Sequence, residues 1–399
     1  MKLFKTELLL FVKSLTFIAF CVAAFAFYFT QYQGNVNRQV AHFQENTVYN
    51  PDNYLMRPRP GSNDYGNTAQ TDKRSVMKNA LLDLQQEYQN NTFQTRPVMF
   101  VKNVHLKQTD KKKVDQIFKH LTDQSLTTFT PAKANWSQLD RQVSYSRFKQ
   151  AMGKIDHIIG GQSAYVPNQL FEFGSGKPLS YTAAKHAYQK KMRIDRVSRN
   201  FARLFSDYLG IIMLIFSVFP LILYYTKAQR ENCQELLDLK LKPTWQYLGV
   251  KYLTTVLVLY GFTLLLSIFP AIQLLKVGRV LQLSTDGWAF VKATTLFVLP
   301  TIMFISALAL VLTRLFKPVI TMAIMVVFGI FILSVTDIAG VTTWSPLMRF
   351  NGDSNWSTFA SLKQAIYLNR LFYIGLTLIL FLVAVWLKSR QRRGAYGQH

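Results

Sequence analysis

The sequence has almost no cysteine, few charges and no recognisable catalytic motif, and each absence removes a class of function. Two cysteines occur in 399 residues. Cys21 falls in an apolar run and Cys233 in a charged stretch on the far side of another, so no disulfide framework and no Cys-x-x-Cys metal site is available. Charged residues make up 17% of the chain, below the usual quarter of a soluble domain. There is no His-Glu-x-x-His, and the six histidines include no pair at ligand spacing on a helix. One phosphate-loop lookalike, Gly174-Ser175-Gly176-Lys177-Pro178, fails on two counts: Phe171 stands where the first glycine belongs, and Pro178 follows the lysine where Ser or Thr is needed. It reads as a turn. No catalytic residue and no metal ligand is expected.

Apolar residues are abundant and segregated. They make up 50% of the chain and aromatics 14%, concentrated in residues 1–30 and 205–399 with a polar stretch between. A membrane-crossing helix needs about 20 mostly apolar residues. Six segments qualify: Leu8–Thr30, Tyr208–Thr226, Tyr252–Leu275, Trp288–Leu312, Val319–Val335 and Leu371–Leu387. The fifth and sixth are short, and Lys317 and Lys388 stand where a snorkelling side chain would extend them. Ala24-Phe25-Ala26 resembles a signal-peptide cleavage site, but the apolar stretch is too long and contains Lys13. The expected fold is therefore an α-helical polytopic membrane protein of six transmembrane helices, with a mixed α/β extracellular domain on a helical stalk. Its parts are a first span (1–31), the outer domain with its stalk helices (32–204), a second span (205–226), a cytoplasmic loop (227–251), spans three to six (252–388) and a cytoplasmic tail (389–399).

Orientation follows from basic residues in short loops. With the N-terminus inside, thirteen Lys and Arg fall on the inner side. The outer short loops hold five: Lys276, Arg279, Arg349, Lys363 and Arg370. Both termini are expected in the cytoplasm of a cell membrane, and the Lys, Asn and Gln content suggests a bacterial one. Segment 32–204 is basic too, with 26 Lys and Arg against 13 Asp and Glu, but long domains cross regardless of charge. Its outer location argues against nucleic acid as a partner, while the lipid bilayer is one by necessity.

Within the outer segment, three- and four-residue spacing predicts a helix over 73–89 (Met77, Leu81, Leu84, Tyr88), a second capped by Thr109 (Val114, Ile117, Phe118, Leu121), and a third from Ser144 ending at Gly160-Gly161. Val98–Leu106 reads as a strand. Ala187, Ile194, Val197, Phe201, Leu204 and Tyr208 form a heptad seam. They predict one unbroken helix from residue 182 into the second span, paired with an outward extension of the first span through Tyr32, Val36, Val40 and Phe43. Pro220, Pro270 and Pro300 fall in or near spans and are candidate hinges. Pro346, Gly352 and Trp356 suit a re-entrant segment, an ordinary outer loop being the alternative.

The loop between the second and third spans is too apolar to be free and too charged to be buried. Leu236, Leu237, Leu239 and Leu241 alternate with Arg230, Glu231, Glu235, Asp238, Lys240 and Lys242, and Pro243 ends the run. A short amphipathic helix here would lie in lipid headgroups or dock in a partner's groove; composition does not decide between them. The pattern Arg230-Glu231, Glu235-Leu236-Leu237, Lys242-Pro243 and Gly249-Val250-Lys251 resembles the cytoplasmic loop of type-2 ABC exporter permeases. Trp344-Ser345-Pro346-Leu347-Met348-Arg349-Phe350 is similar to the Ser-Pro segment such permeases carry before their last span. Cys233 stands where the family prefers glycine, and the first span begins too early to leave room for the amphipathic helix many members place before it. The resemblance implies that Arg230, Glu231, Cys233, Glu235, Leu236, Leu237 and Pro243 couple the chain to a separate ABC ATPase subunit. It implies that Ser345, Pro346 and Phe350 belong to a re-entrant segment and that a second permease chain, identical or related, completes the pathway. No cofactor would be bound by this chain; ATP and Mg would sit on the ATPase. The competing expectation is a membrane-anchored sensor or immunity protein that binds an extracellular ligand and transports nothing.

Overall fold

The structure is a computed structural model that describes residues 2–45, 53–62, 64–95, 102–131, 136, 143–168, 170–174, 176–233, 243–335, 344–350 and 356–396. The chain opens with α1 (Lys2–Val12), α2 (Leu15–Phe27), a wide π-helical turn at Tyr28–Gln33 and α3 (Gly34–Glu45). Next come β1 (Asn67–Thr71), α4 (Lys73–Asn90), β2 (Phe93–Thr95), β3 (Lys102–Val104), α5 (Gln108–Thr122), α6 (Tyr145–Ile159) and β4 (Gly176–Pro178). The long helices described beyond it are α7 (Tyr181–Ile194), α8 (Arg196–Ile215), α9 (Val218–Tyr225), α10 (Thr244–Val280), α11 (Ala289–Leu315, with a π-helical turn at Thr294–Val298), α12 (Pro318–Val335) and α13 (Trp356–Tyr396).

The chain divides into two compact units, residues 60–184 and residues 1–59 with 185–399. In the second of these, among the described residues, five helical stretches are long and apolar enough to cross a membrane: Leu15–Ala41, Arg196–Tyr225, Thr244–Val280, Ala289–Leu315 and Leu362–Arg392. The described part of α12 is apolar but shorter. These helices expose large side chains that a soluble protein would hide, among them Leu265, Val319, Val327 and Leu382, as helices surrounded by lipid do.

Two expectations about the helices need correction. The first apolar segment is not one helix from Leu8. Ser14 breaks it, its Oγ capping the N–H of Phe17 at 3.2 Å and donating to the Phe11 carbonyl at 2.7 Å. A Ser N-cap satisfies a donor left open at the start of a helix, so α2 begins at Leu15 and α1 is a separate helix ahead of it. Nor is the run from residue 182 unbroken. Arg196 takes a left-handed φ of 57°, which costs a non-glycine residue about 1–2 kcal/mol and separates α7 from α8. Ala187 and Ile194 of the expected seam are exposed and Tyr188 and Lys191 are buried instead, whereas Val197, Phe201 and Leu204 beyond the break pack into one core with Tyr32, Val36, Val40 and Phe43.

Unit 60–184 has its own core, built from Leu81 and Leu84 of α4, Phe118 and Leu121 of α5, and Phe148, Met152 and Ile155 of α6. The periodic apolar residues read from the sequence are buried, save Ile117, which is half-buried against the core. Ser144 caps α6 by accepting from the Arg147 N–H at 3.3 Å, and Gly160 closes it at φ 116°. Thr109 does not cap α5, which starts at Gln108 after Lys107. Two antiparallel pairs complete the unit, β1 with β4 and β2 with β3, the latter in register Phe93↔Val104. The segment read as a turn at Gly174–Pro178 instead supplies strand β4, and residues 98–101 of the expected strand lie outside the described residues.

Candidate functional site

Helix α8 is apolar overall, yet one of its faces is polar and buried. Asn200, Arg203 and Asp207 recur at three- and four-residue steps, and each is at most 3% exposed. Ionisable groups on an apolar helix must find partners inside the protein or forfeit several kcal/mol, and these do. Arg203 closes a two-nitrogen ion pair on Asp195, at 2.5 and 2.7 Å, and reaches Asn200 Oδ1 at 3.3 Å. The turn at Arg196 is what brings Asp195 back onto a side chain eight residues later. Tyr54 donates its hydroxyl to Asp195 at 2.7 Å. Burial, and then the neighbouring carboxylate, push that hydroxyl above its ordinary pKa, so it stays protonated and keeps donating. The Arg203 guanidinium also lies 5.0 Å from the Phe359 ring centre and 6.0 Å from that of Phe350.

One turn further along α8, Asp207 holds the segment Trp344–Phe350, accepting from the Phe350 N–H at 3.0 Å and from Arg349 Nε at 3.3 Å. Residues 345–348 are buried and non-helical. Irregular backbone inside an apolar bundle requires that every carbonyl be satisfied by protein. Arg370 of α13 does most of this. Its guanidinium, 2% exposed, donates to the carbonyls of Ser345 (3.0 Å), Pro346 (3.0 Å) and Phe297 (3.2 Å), and to Asn369 Oδ1 (2.6 Å). Thr301 adds a second donor to the Pro346 carbonyl at 2.6 Å and Asn369 a second to that of Ser345 at 3.4 Å, while Tyr373 donates to the Trp344 carbonyl. Among the described residues Arg370 has no carboxylate partner; backbone dipoles solvate its charge. The Phe297 carbonyl belongs to the π-helical turn Thr294–Val298 just ahead of Pro300 and also accepts from the Thr301 hydroxyl at 3.3 Å.

Beside this layer, Asp286 fastens the 281–288 loop. Its Oδ1 accepts from the Trp288 N–H at 3.0 Å, and its Oδ2 is shared by Arg199 (3.2 Å) and Lys292 (3.3 Å), while Ser198 Oγ accepts the Asp286 N–H at 2.6 Å. Burial alone would raise this carboxyl, but the Trp288 N–H, Lys292 and Arg199 together outweigh it and hold the pKa below its ordinary value.

A second buried cluster lies at the opposite ends of α9 and α10. Glu7 accepts from Tyr224 at 2.7 Å, and the Lys251 ammonium, 4% exposed, stands 4.9 Å from the Tyr247 ring centre and 5.2 Å from that of Tyr224.

Ser345, Pro346 and Phe350 are gathered in the buried segment. Arg230, Glu231 and Cys233 are exposed beyond α9, with Arg230 donating to the Leu223 carbonyl at 2.9 Å. Pro243 is exposed and starts α10. Glu235, Leu236 and Leu237 lie outside the described residues. Pro220 sits in the first turn of α9, where its missing N–H costs nothing. Pro270 is buried within the continuous α10, and Pro300 follows the π-helical turn of α11. Sequence reasoning missed Arg203 and Asp195 altogether, and it read Lys251 as part of the cytoplasmic loop motif and Arg370 as an outer-loop charge. Arg370 and Lys363, counted above as outer-loop residues, lie within α13, and Lys251 lies within α10 rather than in a loop. The signal for Arg370 was its place one residue before an apolar run, which a longer helix draws inward. Among the described residues no group of three or more His, Cys, Asp or Glu is placed to hold a metal ion. Comparison with known proteins gives no match, whether to a family model, a curated protein or a solved structure.

Proposed function

We propose that the chain is the membrane-spanning subunit of an ATP-driven exporter of the type-2 ABC class. The observation that carries this reading is the non-helical Trp344–Phe350 segment, buried at residues 345–348 and preceding the last long helix in the chain, at the place where the resemblance puts a Ser-Pro re-entrant element. Two further features support it. The loop bearing the charged and Leu-rich motif falls between α9 and α10, the second and third apolar stretches. The expectation that no room is left ahead of the first span also changes, because α1 precedes the apolar stretch that starts at Leu15, at the place where many members of the family carry an interface helix. In this reading α12 is a sixth span, its 18 residues reaching about 27 Å. Both termini are cytoplasmic and residues 60–184 are outside.

A separate ABC ATPase binds ATP and Mg, and its closure moves the 227–251 loop. Two permease chains, identical or related, rock against each other, a rigid-body change driven by a ligand on a partner. The cargo is amphipathic, peptide, lipid-like or ionic. Affinity purification of the full chain from its native membrane tests this. A P-loop ATPase is expected to accompany it and to be lost when Glu235 and Leu236 are replaced together by alanine. Recovery of the chain without any ATPase would favour the second reading, a membrane-anchored sensor or immunity protein, to which the self-contained core of unit 60–184 is equally suited.

A further inference from the structure

Beside the Arg203–Asp195 pair is a cavity of about 360 Å³ between the start of α8, the start of α11 and α13. Its floor is apolar, made by Leu296, Phe297 and Phe359. Its rim carries Arg199, Lys292 and Lys363. The charges on this rim do not cancel. Arg203 and Asp195 neutralise each other at the back, but Arg199 and Lys292 share the single carboxylate of Asp286. Lys363 makes no ion pair among the described residues; its ammonium stands 5.8 Å from the Tyr367 ring centre. Two positive charges are left over an apolar floor. The mouth also marks an edge. Below it α13 exposes Leu368 and Leu371, 56% and 65% exposed, as a lipid-facing helix does. Beside it the rings of Tyr367 and Trp288 are 46% and 69% exposed, the aromatic pair expected at headgroup level.

The geometry points to a binding site for the anionic headgroup of a membrane phospholipid. The phosphate sits between Lys363 and the Arg199–Lys292 pair, and the first methylenes of its chains lie on Phe297, Phe359 and Leu296 before running down the exposed face of α13. A zwitterionic lipid brings its own cation and gains nothing from the surplus charge; an anionic one is selected. The site does not depend on the export reading and would stand if no ATPase associated with the chain.

The full chain is reconstituted in phosphatidylcholine nanodiscs doped with phosphatidylglycerol carrying a photoactivatable group near the headgroup, or with phosphatidylcholine carrying the same group. After illumination, adducts are mapped by mass spectrometry. The expected result is enrichment of phosphatidylglycerol adducts on residues 289–297 and 359–368. Lys292→Gln and Lys363→Gln, both at exposed side chains, should each lower those adducts about fivefold, the effect of one basic residue at an anionic surface, and leave phosphatidylcholine labelling unchanged. Ala293→Trp, which fills the cavity and leaves its charges intact, should also suppress them. Equal labelling by the two probes, or labelling indifferent to both lysines, would overturn the proposal. Displacement of the lipid probe by millimolar inorganic phosphate, but not by equal chloride, would assign the cavity to a soluble anion and overturn it as well.

Discussion

Arg203 grips Asp195 through both terminal guanidinium nitrogens, and the two side chains are 4% and 5% exposed. Taking one partner from such a pair leaves an uncompensated buried charge, at a cost of about 3–5 kcal/mol, whereas replacing both with apolar residues is often neutral. Asp195→Asn and Arg203→Met should therefore each lower the thermal midpoint of the detergent-solubilised protein well below that of the Asp195→Leu/Arg203→Met double variant. If the double variant is as unstable as the sum of the singles, the pair is not what sets the turn at Arg196.

Arg370 offers a comparison between charge and shape. Its planar fork donates to three carbonyls and one amide oxygen at once. Lysine keeps the charge but has a compact, strongly hydrated ammonium with three donors. Methionine removes the charge, and the Ser345 and Pro346 carbonyls keep their bonds from Asn369 and Thr301. Arg370→Lys is thus expected to destabilise at least as much as Arg370→Met, each by about 2–4 kcal/mol. The measurement is thermal unfolding followed by tryptophan fluorescence. Wild-type stability in Arg370→Lys would show that charge alone holds the 344–350 segment.

What the sequence disclosed and what it hid follow from the same physics. The apolar runs announced the long helices because length in lipid is set by bilayer thickness. The periodic Leu81, Phe118 and Phe148 announced the core of unit 60–184 because burial repeats with the helical turn. The polar layer was hidden because hydropathy averages over a window: Arg203 and Arg370 stand at the edges of apolar runs, where Arg203 reads as one more charge on a stalk helix and Arg370 as a loop residue. Only the fold shows Asp195 turned back onto Arg203, or Arg370 turned onto carbonyls from residues 297, 345 and 346. The break at Ser14 was hidden for a related reason, since one serine in an apolar run changes its hydropathy little while its hydroxyl caps a new helix.

Gly210 of α8 faces Leu347 so closely that a Cβ built there would stand 2.6 Å from Leu347 Cδ1. Leu347 is fully buried and cannot swing into solvent. Gly210→Ala should cost about 1–3 kcal/mol by overpacking and Leu347→Ala about 2–5 kcal/mol by leaving a cavity. Together they should cost less than the sum, because the new methyl occupies space the leucine vacates. A double-mutant cycle on thermal stability should return a coupling of about 0.5–3 kcal/mol; strict additivity would show that α8 and the 344–350 segment do not meet there.

Asp286 has its pKa depressed in the folded protein: burial opposes this, but the Trp288 N–H, Lys292 and Arg199 prevail. A depressed carboxylate contributes stability that is fully present above its unfolded pKa of about 3.9 and is lost as pH falls through the folded value. Asp286→Asn removes the charge at every pH. At pH 7 the variant should therefore be less stable than wild type, by about 1 kcal/mol, because Arg199 and Lys292 are partly exposed and water screens them. As the pH falls below 4 the gap should close, since the wild-type carboxyl becomes neutral too. Paired melting curves of the two proteins across pH 3–7 measure that gap directly. A gap that stays constant would mean that Asp286 acts through its hydrogen bond to Trp288 alone, with its two cations contributing nothing to the hold on the 281–288 loop.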